Sequence, residues 1–395
     1  MSLASVAMEG KRVLVRADLN VPMKDGVVTD ATRLERFVPT IRDFAGRGAR
    51  VVVISHFGRP MGQRVPEMSL RGVVKPLSEL LGAPVAFAED CVGEAAESVV
   101  NALKPGEVAL LENLRFHAGE ENNEPDFASL LAKLGDLYVN DAFSCAHRAH
   151  ASTHGVAKIL SAYPGPSMRR ELDALRGSLE APERPVAALV GGAKVSSKLA
   201  VLSNLVKKVD TLIIGGGMAN TFLHAQGLNV GASLCEPDLA DTARQVMAEA
   251  EAAGCTILLP TDVIVAEVFE KNAQTETLAV DAVRDYHMIL DVGPLTSAAI
   301  EKAFSESKTL LWNGPLGAFE TSPFDIATVR AAQSAAGLVK ARLLVAVAGG
   351  GDTVAALNHA GVGDGFTYVS TAGGAFLEWL EGKELPGVAV LGDAV

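Results

Sequence analysis

Short, nearly continuous apolar runs alternate along this chain with longer stretches in which apolar and polar residues recur at helical spacing. RVVVISH (50–56), TLIIGGG (211–217) and RLLVAVAGG (342–350) are of the first kind, the pattern of strands covered on both faces. ATRLERFVPTIRDFAGRG (31–48) and PDLADTARQVMAEAEAAG (237–254) are of the second, and predict helices. Such alternation predicts an α/β protein with mostly parallel sheets. Residues 1–160 read as one α/β domain, with strands near 12–18, 50–55, 84–87, 107–111 and 136–140. Around 161–185 the texture changes: two proline-bearing loops flank a single amphipathic helix, MRRELDALRGSLE (168–180), a reasonable interdomain connector. Residues 186–370 read as a second α/β domain. A length of 395 residues, above the usual size of one core, agrees with two.

The second half adds a feature that pattern alone does not explain. Three times an apolar strand runs into a glycine cluster and on into a helix-like segment: AALVGGAKVSSK (187–198), TLIIGGGMANTF (211–222) and LLVAVAGGGDTVAAL (343–357). Glycines permit close approach, and the free N–H groups and positive end of a helix face an anion. One such junction is an ordinary tight turn. Three in one half predict a polyphosphate site. The P-loop spacing is absent, as is a dinucleotide GxGxxG with a later ribose acid, which counts against a Rossmann dehydrogenase.

A net charge of −12 argues against nucleic acid or an anionic membrane as the main partner. The distribution is uneven: 12 of the 20 arginines lie in residues 1–150, and five of the eight histidines precede residue 155. Four cysteines without CxxC spacing, and no apolar signal segment in MSLASVAMEGKR, lead to the expectation of reduced thiols in a cytosolic protein. No run is long enough to span a membrane.

In the first half, strand end after strand end delivers Arg or His. VRADLNVP (15–22) closes on Asp18 and Asn20, which hold a ligand or simply cap a turn. SHFGRP (55–60) carries His56 and Arg59, ENLRFHAGEENN (112–123) Arg115 and His117, and NDAFSCAHRAHAS (140–152) His147, Arg148 and His150; Arg33 opens the first long helix. Arginine is the forked donor for carboxylate and phosphate, and several at one sheet edge repel one another without an anion. The set predicts a small di- or tri-anionic substrate. His117, His150 and His154 read individually as structural, since no HxH or HExxH spacing supports a metal.

In the second half, Lys194 and Lys198 stand four apart on the face of a helix expected to begin there, as phosphate contacts or as surface charges. Asp352 and Thr353 follow the glycine run at 349–351; the acid is either an ordinary first-turn residue or, beside phosphates, a Mg²⁺ ligand. WNGPLGAFE (312–320) supplies Asn313 and Glu320, and MILDVGP (288–294) apolar residues suited to flank a base.

Taken together, VRADLNVP, SHFGRP, LLENLRFHAGEENN, NDAFSCAHRAHAS, VGGAKVSSKLAVLSNLVKKVDTLIIGGGMANTFL, LPTDVIVA, DVGPLT, WNGPLGAFE, GGGDTVAAL and STAGGAFLEWLEGKELPG resemble the phosphoglycerate kinase family, in its order and over nearly the whole chain. The resemblance implies two similar-sized Rossmann-like lobes, each a mostly parallel sheet flanked by helices: 1–167 for phosphoglycerate, a hinge helix at 168–180, and 181–374 for nucleotide, with about 375–395 packing back on the first lobe. It implies a cytoplasmic, monomeric, hinge-bending enzyme of glycolysis, passing a phosphoryl group in line from 1,3-bisphosphoglycerate to ADP, with Mg²⁺ bound alongside ATP or ADP. By the same resemblance Asp18, Asn20, His56, Arg59, Arg115 and Arg148 hold the phosphoglycerate, with Arg33 nearest the reacting carboxyl. Gly191, Gly215, Gly216, Leu290 and Pro315 surround the adenine, and Asn313 and Glu320 contact phosphate and ribose. Lys198, Gly350, Gly351, Asp352 and Thr353 cradle the phosphates, with Asp352 placing the metal. Arg33, Lys194, Lys198, Gly351 and Gly374 neutralise the transferring group. The family's STGGG is STAGG here: Ala372 is costly if its φ must be positive and harmless otherwise. Another acyl-phosphate kinase and a two-lobed binding protein for an anionic metabolite stay open on the residues alone.

Overall fold

The computed structural model describes residues 3–392. The chain divides into two compact units, one running to Leu172 and resumed from Glu384, the other Asp173–Lys383. The division falls inside the expected connector helix, observed as Pro166–Leu175 continued by one wider turn over Arg176–Glu180.

The first unit is built on six parallel strands: β1 (Arg12–Arg16), β2 (Arg50–Ile54), β3 (Val85–Ala88), β4 (Val108–Leu111), β5 (Leu137–Asn140) and β6 (Ala162–Pro164), in the order β3-β4-β2-β1-β5-β6. Successive residues alternate between two cores. Val13, Val15, Val51, Val53 and Leu110 pack on the side of helices Thr32–Gly46 and Arg71–Leu81. Leu14, Val52, Ile54, Ala109 and Leu111 pack on the side of Gly93–Ala102 and Pro125–Ala132. Apolar cover on both faces is why these strands read as unbroken apolar runs. Because all six are parallel, their C-terminal ends, and the Arg- and His-bearing loops that follow, share one edge of the sheet.

The second unit repeats the plan with β7 (Val186–Val190), β8 (Thr211–Ile214), β9 (Thr256–Leu258), β13 (Thr309–Asn313), β14 (Val345–Gly349) and β15 (Tyr368–Ser370), in the order β9-β8-β7-β13-β14-β15. All five neighbouring pairs are parallel. Trp312 is fully buried, its indole N–H donating to the Gly314 carbonyl at 2.8 Å. Ala327, Ala331, Ala332 and Ala335 give helix Ile326–Lys340 a face small enough to lie close on the sheet. Pattern reading did not anticipate a further antiparallel sheet, β10 (Asp262–Ala266), β11 (Glu276–Ala279) and β12 (Met288–Val292), in the order β11-β10-β12. The most exposed of these, β11, carries no apolar stripe to betray it.

The chain returns to the first unit later than the expected 375. Helix Gly373–Leu380 stays with the second, where Asn204 Nδ2 donates to the Leu380 carbonyl at 2.7 Å. Helix Pro386–Ala389 belongs to the first: Gly387 N–H donates to the Ala146 carbonyl at 2.8 Å, and Leu391 enters its core. Among the described residues no helix is long and apolar enough to cross a membrane, and all four cysteines are free.

Candidate active site

In the first unit the loops after β1, β2, β4 and β5 are stitched together by buried polar side chains. Ser55 Oγ accepts from Leu19 N–H at 2.9 Å, and Asn20 Oδ1 accepts from Gly58 N–H at 3.0 Å. Asn113 is fully buried. It accepts from the Phe57 and Arg115 amides and donates to the Phe57 and Met68 carbonyls. These bonds fix where the charged residues emerge.

Asp18 pairs with Arg33 through one carboxylate oxygen, to which Ser144 also donates. Arg115 is buried, bonds the Gly58 carbonyl at 2.7 Å and has Glu121 3.3 Å from Nε. Burial, with Arg148 and Arg16 nearby, pulls its pKa down against the opposing charge of Glu121. Arg148 is half-buried, with Nε 3.1 Å from His147 Nε2. His56 is the common neighbour: its pKa falls well below the usual imidazole value through burial and the charges of Arg16, Arg115, Arg148 and Arg33. The structure thus brings Asp18, Asn20, Arg33, His56, Arg115 and Arg148 around one strand edge. Arg59 is exposed.

His117 and His150 take structural partners. His117 Nε2 lies 2.7 Å from Asp90 Oδ1, in a cluster with Cys91 whose acid is also held by Arg64 at 2.9 Å. His150 lies 3.7 Å from Glu120; burial first, then nearby arginines, lower its pKa to about 3, so the ring is neutral. His154 Nδ1 lies 3.1 Å from Asn123 Nδ2.

In the second unit the first two glycine junctions and the 312–320 loop meet so closely that side chains would not fit. A Cβ on Gly191 would collide with the Pro315 carbonyl, one on Gly215 with Leu316, and one on Gly216, at φ +68°, with the Gly192 backbone. Gly216 N–H donates to the Leu316 carbonyl at 2.7 Å. They frame a cavity of about 440 Å³, lined mainly by apolar groups and by Gly216, Leu290, Pro315, Glu320 and Asp352 of the expected residues, a size suited to a small organic ligand. Asn220 and Asp291, not anticipated, line it too.

The third junction sits beside this frame. Gly350, at φ +101°, opens helix Gly351–His359. Thr353 Oγ1 accepts from Gly314 N–H at 2.7 Å and donates to the Gly349 carbonyl at 2.8 Å. Asn313 Nδ2 donates to that carbonyl at 2.7 Å, while Oδ1 is buried without a partner among the described residues. Lys198 Nζ donates to the carbonyls of Gly191, at 2.5 Å, and Asn313, at 3.0 Å. Burial, partly offset by Asp352, lowers its pKa to about 8.

The two lysines do not share a helix face. Lys194 is extended and exposed, a 3₁₀ turn spans Val195–Ser197, and the α-helix begins only at Leu199. Lys198 follows that 3₁₀ turn and reaches inward to the carbonyls of Gly191 and Asn313. Gly374 is exposed in the first turn of helix Gly373–Leu380, and Ala372 before it has φ −94°. The alanine is therefore unstrained.

A sequence model of the phosphoglycerate kinase family matches residues 3–383. The chain belongs to the phosphoglycerate kinase family. The phosphoglycerate kinase of Methylorubrum extorquens (strain PA1) is 65% identical over 384 residues, covering 97% of this chain and 96% of that protein. That of Ruegeria sp. (strain TM1040) is 62% identical over 390 residues, covering 99% and 98%. Among solved structures, phosphoglycerate kinase from Coxiella burnetii superposes with a TM-score of 0.93 at 44% identity, covering 99% of this chain and 98% of that one. The Pyrococcus horikoshii OT3 enzyme superposes with a TM-score of 0.81 at 31% identity over the same shares. Membership at this identity and coverage makes the chain a kinase that transfers phosphate between 3-phosphoglycerate and ATP, and displaces the binding-protein and other acyl-phosphate-kinase readings.

Proposed function

We propose that the arginine-lined strand edge of the first unit binds phosphoglycerate and that the glycine-framed cavity of the second binds the nucleotide. The observation carrying this is the gathering of Arg33, Arg115 and Arg148 around a buried His56. So much positive charge at one strand edge is costly until an anion arrives. Arg115, Arg148, His56 and the more exposed Arg59 hold the phosphate. Asp18 and Asn20 take the hydroxyl and carboxyl end, and Arg33 exchanges its Asp18 contact for the reacting carboxyl.

In the second unit, Gly191, Gly215, Gly216, Leu290 and Pro315 bound the base, and Glu320 meets the ribose. Gly350, Gly351, Thr353 and Asn313 face the phosphates, with the positive end of helix Gly351–His359 behind them. Lys198 leaves its two carbonyls for the phosphates. Asp352, exposed at the cavity beside Lys198, fits a Mg²⁺ and would hold it by its carboxylate; the ion would neutralise phosphate charge.

Transfer is direct and in line. The carboxylate acceptor and the nucleotide repel one another, so the protein contributes position and positive charge rather than a covalent intermediate. Lys194, Lys198, Arg33 and the amides at Gly351 and Gly374 supply that charge as the two units close. The enzyme works as a cytosolic monomer. The test is a coupled assay with ATP and 3-phosphoglycerate on wild type and Lys198→Ala. The variant should lose roughly 10²–10³-fold in kcat while 3-phosphoglycerate still binds by calorimetry. A near-normal kcat removes Lys198 from the chemistry.

A further inference from the structure

Arg16 is a fully buried arginine ending an apolar strand, and no substrate contact requires it. Its Nε donates to Ser152 Oγ at 2.8 Å, Nη1 donates to the Ala17 carbonyl, and Nη2 lies 3.1 Å from His56 Nδ1. Ser152 passes the interaction on, donating from Oγ to Glu120 Oε1 at 2.6 Å, while its N–H donates to Oε2 at 2.9 Å. Tyr138 holds the same residue, its hydroxyl donating to the Ser152 carbonyl at 2.6 Å. The guanidinium is thereby oriented from the side away from the histidine.

A guanidinium has donors only. At 3.1 Å, His56 Nδ1 must therefore accept, and in a neutral ring the proton lies on Nε2. We propose that Arg16 is a positioning residue that fixes the tautomer of His56, so that the ring meets the substrate anion as a neutral Nε2–H donor. This rests on the reading of His56 as a phosphoglycerate ligand.

The groups around the ring support it. Arg16, Arg115, Arg148 and Arg33 all oppose an imidazolium. Cys145 Sγ, 3.8 Å from Nδ1, offers no negative charge, since burial pushes the thiol up. The buried carboxyl of Glu120 is spent on Ser152, with His150 3.7 Å away. A neutral donor serves such a site. The arginines already supply the charge, and a ring that titrated near neutrality would make substrate affinity follow pH.

The test is nitrogen-15 NMR of histidine-labelled protein. Wild type should show His56 Nδ1 unprotonated and Nε2 protonated, unchanged down to pH ~5.5. Cys145→Ala should keep that pattern. Arg16→Met/Glu120→Gln, which removes both buried charges together, should leave Nδ1 without its donor, so that a measurable share of the rings carries the proton on Nδ1 instead. Its KM for 3-phosphoglycerate should rise by up to about tenfold, the worth of one hydrogen bond, as Nε2–H donation is lost, with kcat little changed.

An Nδ1–H tautomer or an imidazolium in wild type at neutral pH overturns the proposal. So does a tautomer that changes in Cys145→Ala, or a double variant that keeps the wild-type tautomer throughout. Adding 3-phosphoglycerate to wild type should shift the Nε2 resonance. If it does not, the role of His56 as a ligand fails, whereas the tautomer result stands or falls by itself.

Discussion

Lys198 is held by two backbone carbonyls in a place where burial makes its charge easier to lose. With a pKa lowered to about 8 by burial, the free enzyme carries a progressively neutral lysine above that pH, and a neutral amine is a poor partner for phosphate. The KM for nucleotide should therefore rise as pH passes through about 8, with an inflection that Lys198→Arg abolishes, because guanidinium stays charged. Steady-state KM measured across that range checks it. Ala372 makes the opposite case, a departure from the family pattern that the backbone accepts without strain. Its φ is −94° and its methyl is buried. Ala372→Gly should leave kcat unchanged and lower stability by about 0.4–1 kcal/mol, from the added freedom of the unfolded chain, read by urea denaturation.

At the scale of elements, Asp291 ties strand β12 to the helix that follows the 312–320 loop. Its two oxygens accept from Val292 N–H at 2.9 Å and from Ala327 N–H, in the first turn of helix Ile326–Lys340, at 3.0 Å. Gly317 of the intervening loop packs so closely on the carboxylate that a Cβ would collide with it. Burial raises the pKa of Asp291 to about 7, the two amides working the other way. Between the unfolded value, near ~4, and about 7, the folded protein therefore binds more protons than the unfolded one. The acid's contribution favours folding on the acid side and is lost as pH rises through about 7. The stability of wild type relative to Asp291→Asn should fall between pH ~5 and ~8, by a few kcal/mol at most. Urea melts of both proteins at the two pH values decide it; a pH-independent difference removes the titration of Asp291.

The same element shows what sequence makes legible. Parallel strands were readable because both faces are apolar, and their C-terminal polar residues were readable as a set because parallel strands end at one edge. Arg16, Asn113, Glu120 and Asp291 escaped because a buried polar residue carries no mark of its burial; only its partners reveal it, and they lie far along the chain. For Arg16 there was one signal, a charged residue inside the apolar run RVLVR. The lysine pair misled for a related reason. Spacing of four implies a shared face only if the helix has begun, and here it begins only at Leu199, after a 3₁₀ turn.

For the whole molecule, the chain's return to its first unit has functional weight. Helix Pro386–Ala389 sits on the loop after β5: Gly387 N–H donates to the Ala146 carbonyl, and Asn140 Nδ2 donates to the Gly387 carbonyl at 3.2 Å. A Cβ on Gly387 would press on Ala146, so only glycine fits there without a shift. Ala146 lies between Cys145, beside His56, and Arg148. A segment from the far end of the sequence thus braces the loop that carries Arg148, the arginine proposed to meet the substrate. Removing residues from 384 onward should cost the first unit roughly 1.5–3 kcal/mol from Leu391 alone, besides the two hydrogen bonds. It should weaken 3-phosphoglycerate binding more than nucleotide binding, because both hydrogen bonds and the burial of Leu391 belong to the first unit while the cavity proposed for the nucleotide lies wholly in the second. Calorimetric titration of each ligand into the truncated chain separates the effects. Equal losses for both would mean that the segment serves general stability rather than the arginine loop.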